Sequence, residues 1–405
     1  MSSEAGTTTG PRFFPWDFIT RRRFRTSLQF AYGKHTFAAW IRVGALLGIF
    51  AFCVGLFIAV EQPIFNGVSD LRLGADTQTY YAVADAMGSG GKAQAEFLTV
   101  TGNLFGPIAM ALLFKNAFWI MSCNFALFFL AVLACTPIKG LNKSFLMFLL
   151  ALNATTLVSM VTLNKEIFTL VASLLLCRLI YAEKKSKLLL LVILFVGMLA
   201  RWEQPAITLM FLFLWRKNSV FRRHPTYALF LVIGAITVAY PLALHLFDLS
   251  AFTEQASNGG AIIALNRIQA SFGYPLVLIP KTMMSLFSHL LTPTYWFTQY
   301  PLEDFKDLAN QYVINLHCLA MLFIFIVAFF KGRLSVSRPL PFFIALYLIV
   351  TSANAFLQPR YQYPVYVLLC FDIARREITP MRFRLFMQSR PKPSITAPAP
   401  KLQDA

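Results

Sequence analysis

A chain of 405 residues with 57% hydrophobic and only 13% charged side chains, and a mean hydropathy of +0.61, has too little polar surface to fold with water on every side. This excludes an ordinary soluble enzyme and a water-exposed binding domain. The net charge of +18 would point to nucleic acid in a soluble protein, but here the basic residues fall in short clusters between apolar runs, where they set orientation in a membrane.

Residues 1–35 carry Arg21, Arg22, Arg23 and Arg25 and read as a cytoplasmic basic segment. The run 36–60 lacks the short apolar core and small-residue cleavage site of a removable leader, so it is expected to stay as the first span. Residues 61–102 form a long outer loop, in which Asp76 precedes an amphipathic helical pattern through Tyr80 and Tyr81. The stretch 103–114 contains Gly106 and Pro107 and is read as re-entrant or interfacial, because counting it as a crossing breaks the agreement between topology and charge.

Further spans are predicted at 117–135, 145–163, 167–181, 188–200, 204–215 and 227–246, several of them short enough to need tilting. A second outer loop, 248–311, carries the interrupted apolar stretch 262–291, expected to lie on the membrane. Spans at 312–330, 340–356 and 362–374 complete the set. The clusters Lys184–Lys185–Lys187, Arg216–Lys217–Arg222–Arg223, Lys331–Arg333–Arg338 and Arg375–Arg376–Arg382–Arg384 then all face the cytoplasm. The predicted fold is therefore all-α, a polytopic transmembrane bundle of about ten spans in one domain, 36–374, with two longer outer loops and no attached soluble catalytic domain. Both termini are cytoplasmic, and residues 375–405 are a basic and then Pro-rich disordered tail.

With this topology, Asp76, Lys165, Glu166, Arg201, Glu203, His245, Asp248, Arg360 and Tyr361 gather at the outer ends of the helices. Ionisable groups at membrane depth cost about 2.5 to 3.5 kcal/mol at a helix centre, so such groups normally line a wet cavity or pair with one another. Asp76 is placed to deprotonate a hydroxyl or to hold a divalent cation; the plainer alternative is a cap on the helix that follows. Lys165 and Glu166 occupy a tight outer turn and would otherwise be a solvated hairpin. For Arg201 and Glu203, in a second tight turn, the rival is a salt bridge to each other. Arg360, among prolines and aromatics, suits a phosphate, or alternatively anchors the chain at headgroup level. His245, Asp248 and His289 lack metal-ligand spacing as a set. The six cysteines sit in apolar runs and read as small core residues, not as a zinc site or disulfide framework. No Gly-rich phosphate loop, nucleophile elbow or His-Glu-x-x-His motif occurs.

Four stretches together resemble the GT-C superfamily of integral-membrane glycosyltransferases: Asp76 with Tyr80 and Tyr81, Gly106-Pro107, Asn164-Lys165-Glu166, and Arg360-Tyr361 with Pro364. The resemblance implies transfer of a sugar from a polyprenyl-phosphate donor to a lipid or polysaccharide acceptor on the non-cytoplasmic side of a bacterial inner membrane. It implies Asp76 as the carboxylate that acts as base or metal ligand and Arg360 as the basic residue for the lipid phosphate. Arg201 and Lys165 would assist with phosphate, and Glu166, Glu203, Tyr80, Tyr361, His245 and Asp248 would support the site. The sequence departs from the metal-dependent members in having no Asp-x-Asp pair, since Asp70 and Asp76 are too far apart; no cofactor is fixed by the sequence, and a divalent cation stays open without that motif to indicate it. Membrane lipids are the other expected partner, and nucleic acid is not. Two alternatives stand beside this reading: an O-antigen-type polymerase acting on lipid-linked oligosaccharide, and a transporter or flippase for a lipid-linked sugar. No internal symmetry of the kind common in transporters is found.

Overall fold

The structure, a computed structural model, describes residues 35–66, 76–88, 105–182, 186–247, 260–291, 305–354 and 357–375. The N-terminal basic segment, Lys184 and Lys185, Asp248 and the tail beyond Arg375 lie outside the described residues. Among the described residues the chain is all-helical, without a strand; one isolated bridge joins Leu141 to Arg375.

The order is α1 (His35–Leu56), a π turn (Phe57–Glu61), α2 (Gln62–Phe65), α3 (Thr77–Gly88), α4 (Phe105–Phe114), α5 (Ala117–Ala134), α6 (Lys143–Ala151), α7 (Ala154–Val161) and α8 (Glu166–Tyr181). There follow α9 (Lys187–Ala200), α10 (Glu203–Leu214), α11 (Val220–Arg223), α12 (Pro225–Phe247), α13 (Gly260–Phe272), α14 (Tyr274–Leu291), α15 (Phe305–Phe330), α16 (Pro339–Ser352), a 3-10 turn (Pro359–Gln362) and α17 (Tyr363–Ala374). Two stretches are long and apolar enough to cross a membrane, Ala117–Ala134 and Tyr312–Phe330. A third crossing exists if the bent pair Lys143–Ala151 and Ala154–Val161 counts as one. Several other apolar helices are shorter than a full crossing requires, for example Lys187–Ala200 with 14 residues and Glu203–Leu214 with 12.

The straight span expected at 145–163 is corrected: the helix breaks at Leu152 and Asn153, and its halves meet at 89°. Asparagine is a strong helix starter, because its side-chain oxygen can accept a backbone amide of the first turn. Asn153 does this for Thr155 at 2.9 Å and so begins a new helix inside an apolar run. The break diverts the Asn153 amide to the carbonyl of Leu150 at 3.3 Å, which takes from Leu149 the partner a continuous helix would have supplied. The hydroxyl of Tyr366, on α17, donates to the Leu149 carbonyl at 2.5 Å instead. A broken helix is stable in an apolar setting only when its released backbone groups find such partners.

Two helices form the centre. Thirteen of the 16 residues of α8 and all 12 of α17 are buried, the pattern of helices that are apolar all round. Helix α8 packs on α5, α9 and α17, while α17 also meets α6 and α15. Peripheral helices are inverted relative to a water-soluble fold: Phe118, Trp119 and Leu130 on α5, Leu191 and Phe195 on α9, Phe230 and Val238 on α12, and Phe323 and Phe329 on α15 are exposed.

Gly106 explains how α4 enters the bundle. A Cβ at this position would lie 2.5 Å from the Leu199 carbonyl and 2.7 Å from the Phe168 ring, so only glycine allows α4 to touch both α8 and α9. On the far side, Gly273 adopts φ +94° and turns the chain between α13 and α14, the two helices that replace the interrupted stretch 262–291.

Candidate active site

Asp76 opens α3: its carbonyl accepts the Tyr80 amide at 3.0 Å, as expected of a residue at a helix start. Its carboxylate does more than that. Oδ2 lies 3.1 Å from Arg360 Nη1 and 3.9 Å from Lys165 Nζ, and it accepts the Tyr80 hydroxyl at 3.3 Å. One oxygen thus gathers groups from the beginning, the middle and the end of the chain.

Lys165 is brought there by the turn between α7 and α8. Thr77 Oγ1 donates to the Leu163 carbonyl at 3.3 Å and ties the first turn of α3 to this segment. Glu166, the first residue of α8, faces Arg201 across the α9–α10 turn, with Nη2 to Oε1 at 2.9 Å. Two readings of these turns are corrected. Lys165 and Glu166 are buried, not a solvated hairpin, and Arg201 takes Glu166 as its partner instead of Glu203. Glu203, adjacent in sequence, heads the neighbouring helix α10, so its carboxylate contributes to the field around Arg201 without taking up that ion pair.

Arg360 rides on the 3-10 turn. Its Nε donates to Gln358 Oε1 at 2.7 Å, which orients the guanidinium while leaving Nη1 for Asp76. The Tyr361 ring carries the Arg201 guanidinium at 4.1 Å from its centroid and that of Arg360 at 5.7 Å, so one aromatic ring serves two cations. The Tyr361 carbonyl accepts the Tyr347 hydroxyl at 3.2 Å. Side-chain exposure grades across the cluster, from Asp76 at 30% and Arg360 at 17% to Lys165 and Arg201 at 7% and Glu166 at 2%. Asp76 therefore sits at the open rim and Glu166 at the floor.

The charges perturb one another. Burial opposes ionisation of Asp76, but the Arg360 guanidinium and then the Lys165 ammonium outweigh it and hold the carboxyl below the usual carboxylate range. Burial, reinforced by the Arg201 guanidinium, lowers Lys165 to about 8. Three cations, Lys165, Arg201 and Arg360, stand among the carboxylates of Asp76 and Glu166, with that of Glu203 beside Arg201, and the Arg360 and Lys165 charges near the open rim offer partners for an anion.

Of the expected supporting residues, Tyr80 and Tyr361 join the cluster. His245 belongs to α12 but its side chain, like Asp248, lies outside what is described. His289 Nδ1 lies 2.8 Å from Asn315 Oδ1, between α14 and α15. Glu61 was not singled out by sequence, yet it is 1% exposed, accepts the Tyr81 hydroxyl at 3.2 Å, and is pushed up to about 7 by burial against the lowering effect of that hydrogen bond. A lone acid closing an apolar run was the available signal. Asn153 and His317 were also missed; each looks in sequence like a stray polar residue within a span. Among the described residues, no group of three or more His, Cys, Asp or Glu side chains converges as a metal site.

Comparison of the chain with protein-family models, curated proteins and solved structures returns no match.

Proposed function

We propose that this protein is a multi-pass membrane glycosyltransferase of GT-C type, moving a sugar from a polyprenyl-phosphate donor to a lipid or glycan hydroxyl at the non-cytoplasmic face of the bacterial inner membrane. The observation that carries the reading is the meeting of Asp76, Arg360 and Lys165 on one carboxylate oxygen at a half-open rim. A cluster that sets two cations beside a carboxylate at its accessible edge suits a reaction in which a phosphate departs while a hydroxyl loses its proton. The bundle of about ten spans belongs to this proposal. It is supported by the exposed apolar faces of α5, α9, α12 and α15, which suit lipid, and by the basic clusters at the opposite ends of the helices.

In the proposed reaction the acceptor oxygen attacks the anomeric carbon, the bond from that carbon to the phosphate oxygen breaks with its electron pair staying on the lipid phosphate, and the acceptor proton passes to Asp76. Arg360 offers the phosphate a planar pair of donors, and Lys165 and Arg201 supply further positive charge. Asp76 in the free protein is a weak base because the two cations stabilise its charge. A donor phosphate that draws Arg360 and Lys165 to itself returns proton affinity to Asp76, so donor binding prepares acceptor activation. A divalent cation does not fit this donor set: the carboxylate that would ligate it faces a guanidinium and an ammonium. No step is routed through a metal.

Purified protein in vesicles, incubated with a panel of radiolabelled polyprenyl-phosphate sugars and a mixed lipid acceptor, is expected to form a labelled product that Asp76→Asn abolishes while inserting normally. Uptake of the sugar into the vesicles with no new glycosidic bond overturns the reading in favour of transport, and label taken only from pyrophosphate-linked oligosaccharide overturns it in favour of a polymerase.

A further inference from the structure

The turn that presents Arg360 is held by a buried polar chain from the break in the 143–161 helix. His317, on α15, is fully buried. Its Nε2 lies 3.1 Å from the carbonyl of Pro359, the residue before Arg360. A carbonyl can only accept, so Nε2 carries the proton and donates. Its Nδ1 is 2.9 Å from Asn153 Nδ2 and 3.0 Å from Asn153 Oδ1. In a neutral ring whose Nε2 carries the proton, Nδ1 is an acceptor, so the Asn153 amide nitrogen donates to it while the Asn153 oxygen accepts the Thr155 amide at 2.9 Å. The ring is thereby fixed as one neutral tautomer between two elements: the 89° corner on one side and the Arg360 turn on the other.

From this geometry we infer that His317 is a positioning residue, fixing Arg360 over Asp76 by clamping the Pro359 carbonyl, with Asn153 setting the tautomer that makes the clamp possible. The inference rests on the proposed role of Arg360. It accounts for three features that the reaction itself does not use: a histidine buried in an apolar helix, an asparagine that breaks a neighbouring helix, and a backbone carbonyl at the base of the turn. Such a role is chemically specific. Any side chain of similar volume fills the space, but only one with a donor at the Nε2 position holds the turn.

The test compares two near-isosteric variants. In His317→Gln the side-chain amide nitrogen overlays Nε2 and can still donate to Pro359; in His317→Asn the amide overlays Nδ1 and reaches only Asn153. Two readouts are used on the full-length protein in vesicles. The first needs no activity: Asp76→Cys and Arg360→Cys are installed together in a background with the native cysteines replaced, and the rate of disulfide formation under mild oxidant reports how closely the turn approaches α3. The second is sugar transfer with Asp76 and Arg360 intact, measured singly and in an Arg360→Lys background.

His317→Asn is expected to slow crosslinking and transfer by about tenfold to a hundredfold, as a displacement near 1 Å does at a reacting centre. His317→Gln should stay within about threefold of the parent, the effect of keeping one hydrogen bond of the two. In the Arg360→Lys background the Asn variant should add little further loss of transfer, because the clamp acts through the group already altered. Equal losses for Gln and Asn, or the full Asn penalty persisting beside Arg360→Lys, overturn the inference in favour of packing alone. If no donor supports transfer in the parent protein, the proposed function fails, and crosslinking still decides whether His317 holds the turn.

Discussion

The two ends of the bundle use charge differently. At the Asp76 end, five ionisable side chains from α3, the α7–α8 turn, the α9–α10 turn and the 3-10 turn pair with one another under partial or complete burial. At the other end, Arg375 stacks on Tyr181 at 3.8 Å, its carbonyl accepts Arg333 Nη2 at 3.2 Å, and Leu141 bridges to it through the backbone. Cations there meet a ring and a carbonyl, the buried Asp372 lies close enough to Tyr181 to act on it alongside Arg375 and Arg338, and the contacts tie helix ends together. A cluster of mixed sign that reaches an open rim suits the proposed reaction, whereas the contacts at the far end fasten helix ends to one another.

Perturbing both ends separates these roles, and the expected effects fall in order. Asp76→Asn keeps shape and removes the proposed proton acceptor, so transfer should drop by about a hundred- to ten-thousand-fold with unchanged expression. A drop below tenfold would assign Asp76 to helix capping. Next, Glu166→Gln leaves the Arg201 guanidinium buried beside a neutral partner; a stability loss of about 3 kcal/mol is expected in denaturant melts, the penalty typical of stranding one member of a buried pair. Replacing both as Glu166→Gln with Arg201→Gln should recover part of it. Gly106→Ala should cost about 1 to 3 kcal/mol by forcing α4 away from the Leu199 carbonyl, measured the same way.

A pH profile sharpens the comparison further. Lys165 is charged below about 8 and neutral above it, so transfer should fall as pH rises through that value, at the point where the cluster loses one of its cations. Lys165→Arg keeps its charge throughout and should remove this limb; a limb left in place assigns it to another group. The smallest effect belongs to the far end: Arg375→Ala should lose about 0.5 to 1 kcal/mol of stability from its stacking on Tyr181 and leave transfer unaltered.

Sequence carried the helical class, the apolar runs and most members of the cluster, because each of these is a local signal. An apolar run is visible by composition, and a charge between two runs is visible by contrast, which is why Asp76, Lys165, Glu166, Arg201 and Arg360 could be named together. Pairing was not visible. Arg201 lies two residues from Glu203, yet the fold gives it Glu166, since two adjacent turns face each other only after α8 and α9 have packed. The corner at Asn153 was hidden for a related reason: one asparagine in an apolar run reads as a tolerated polar residue until Tyr366 and His317, both far along the chain, are seen to satisfy what the corner exposes. Glu61 escaped notice because its partner, Tyr81, lies beyond the intervening loop.

The distance along the chain between Asp76 and Arg360 has a consequence for biogenesis. The aspartate leaves the ribosome early and waits through the synthesis of most of the helices before its guanidinium arrives just ahead of the last one. Until then Lys165 is its only cationic neighbour of the two, and Leu149 has no tyrosine to cover its carbonyl. A nascent chain halted before the 3-10 turn therefore displays open polar groups that chaperones and proteases can recognise. Completion of the final helix closes them all at once.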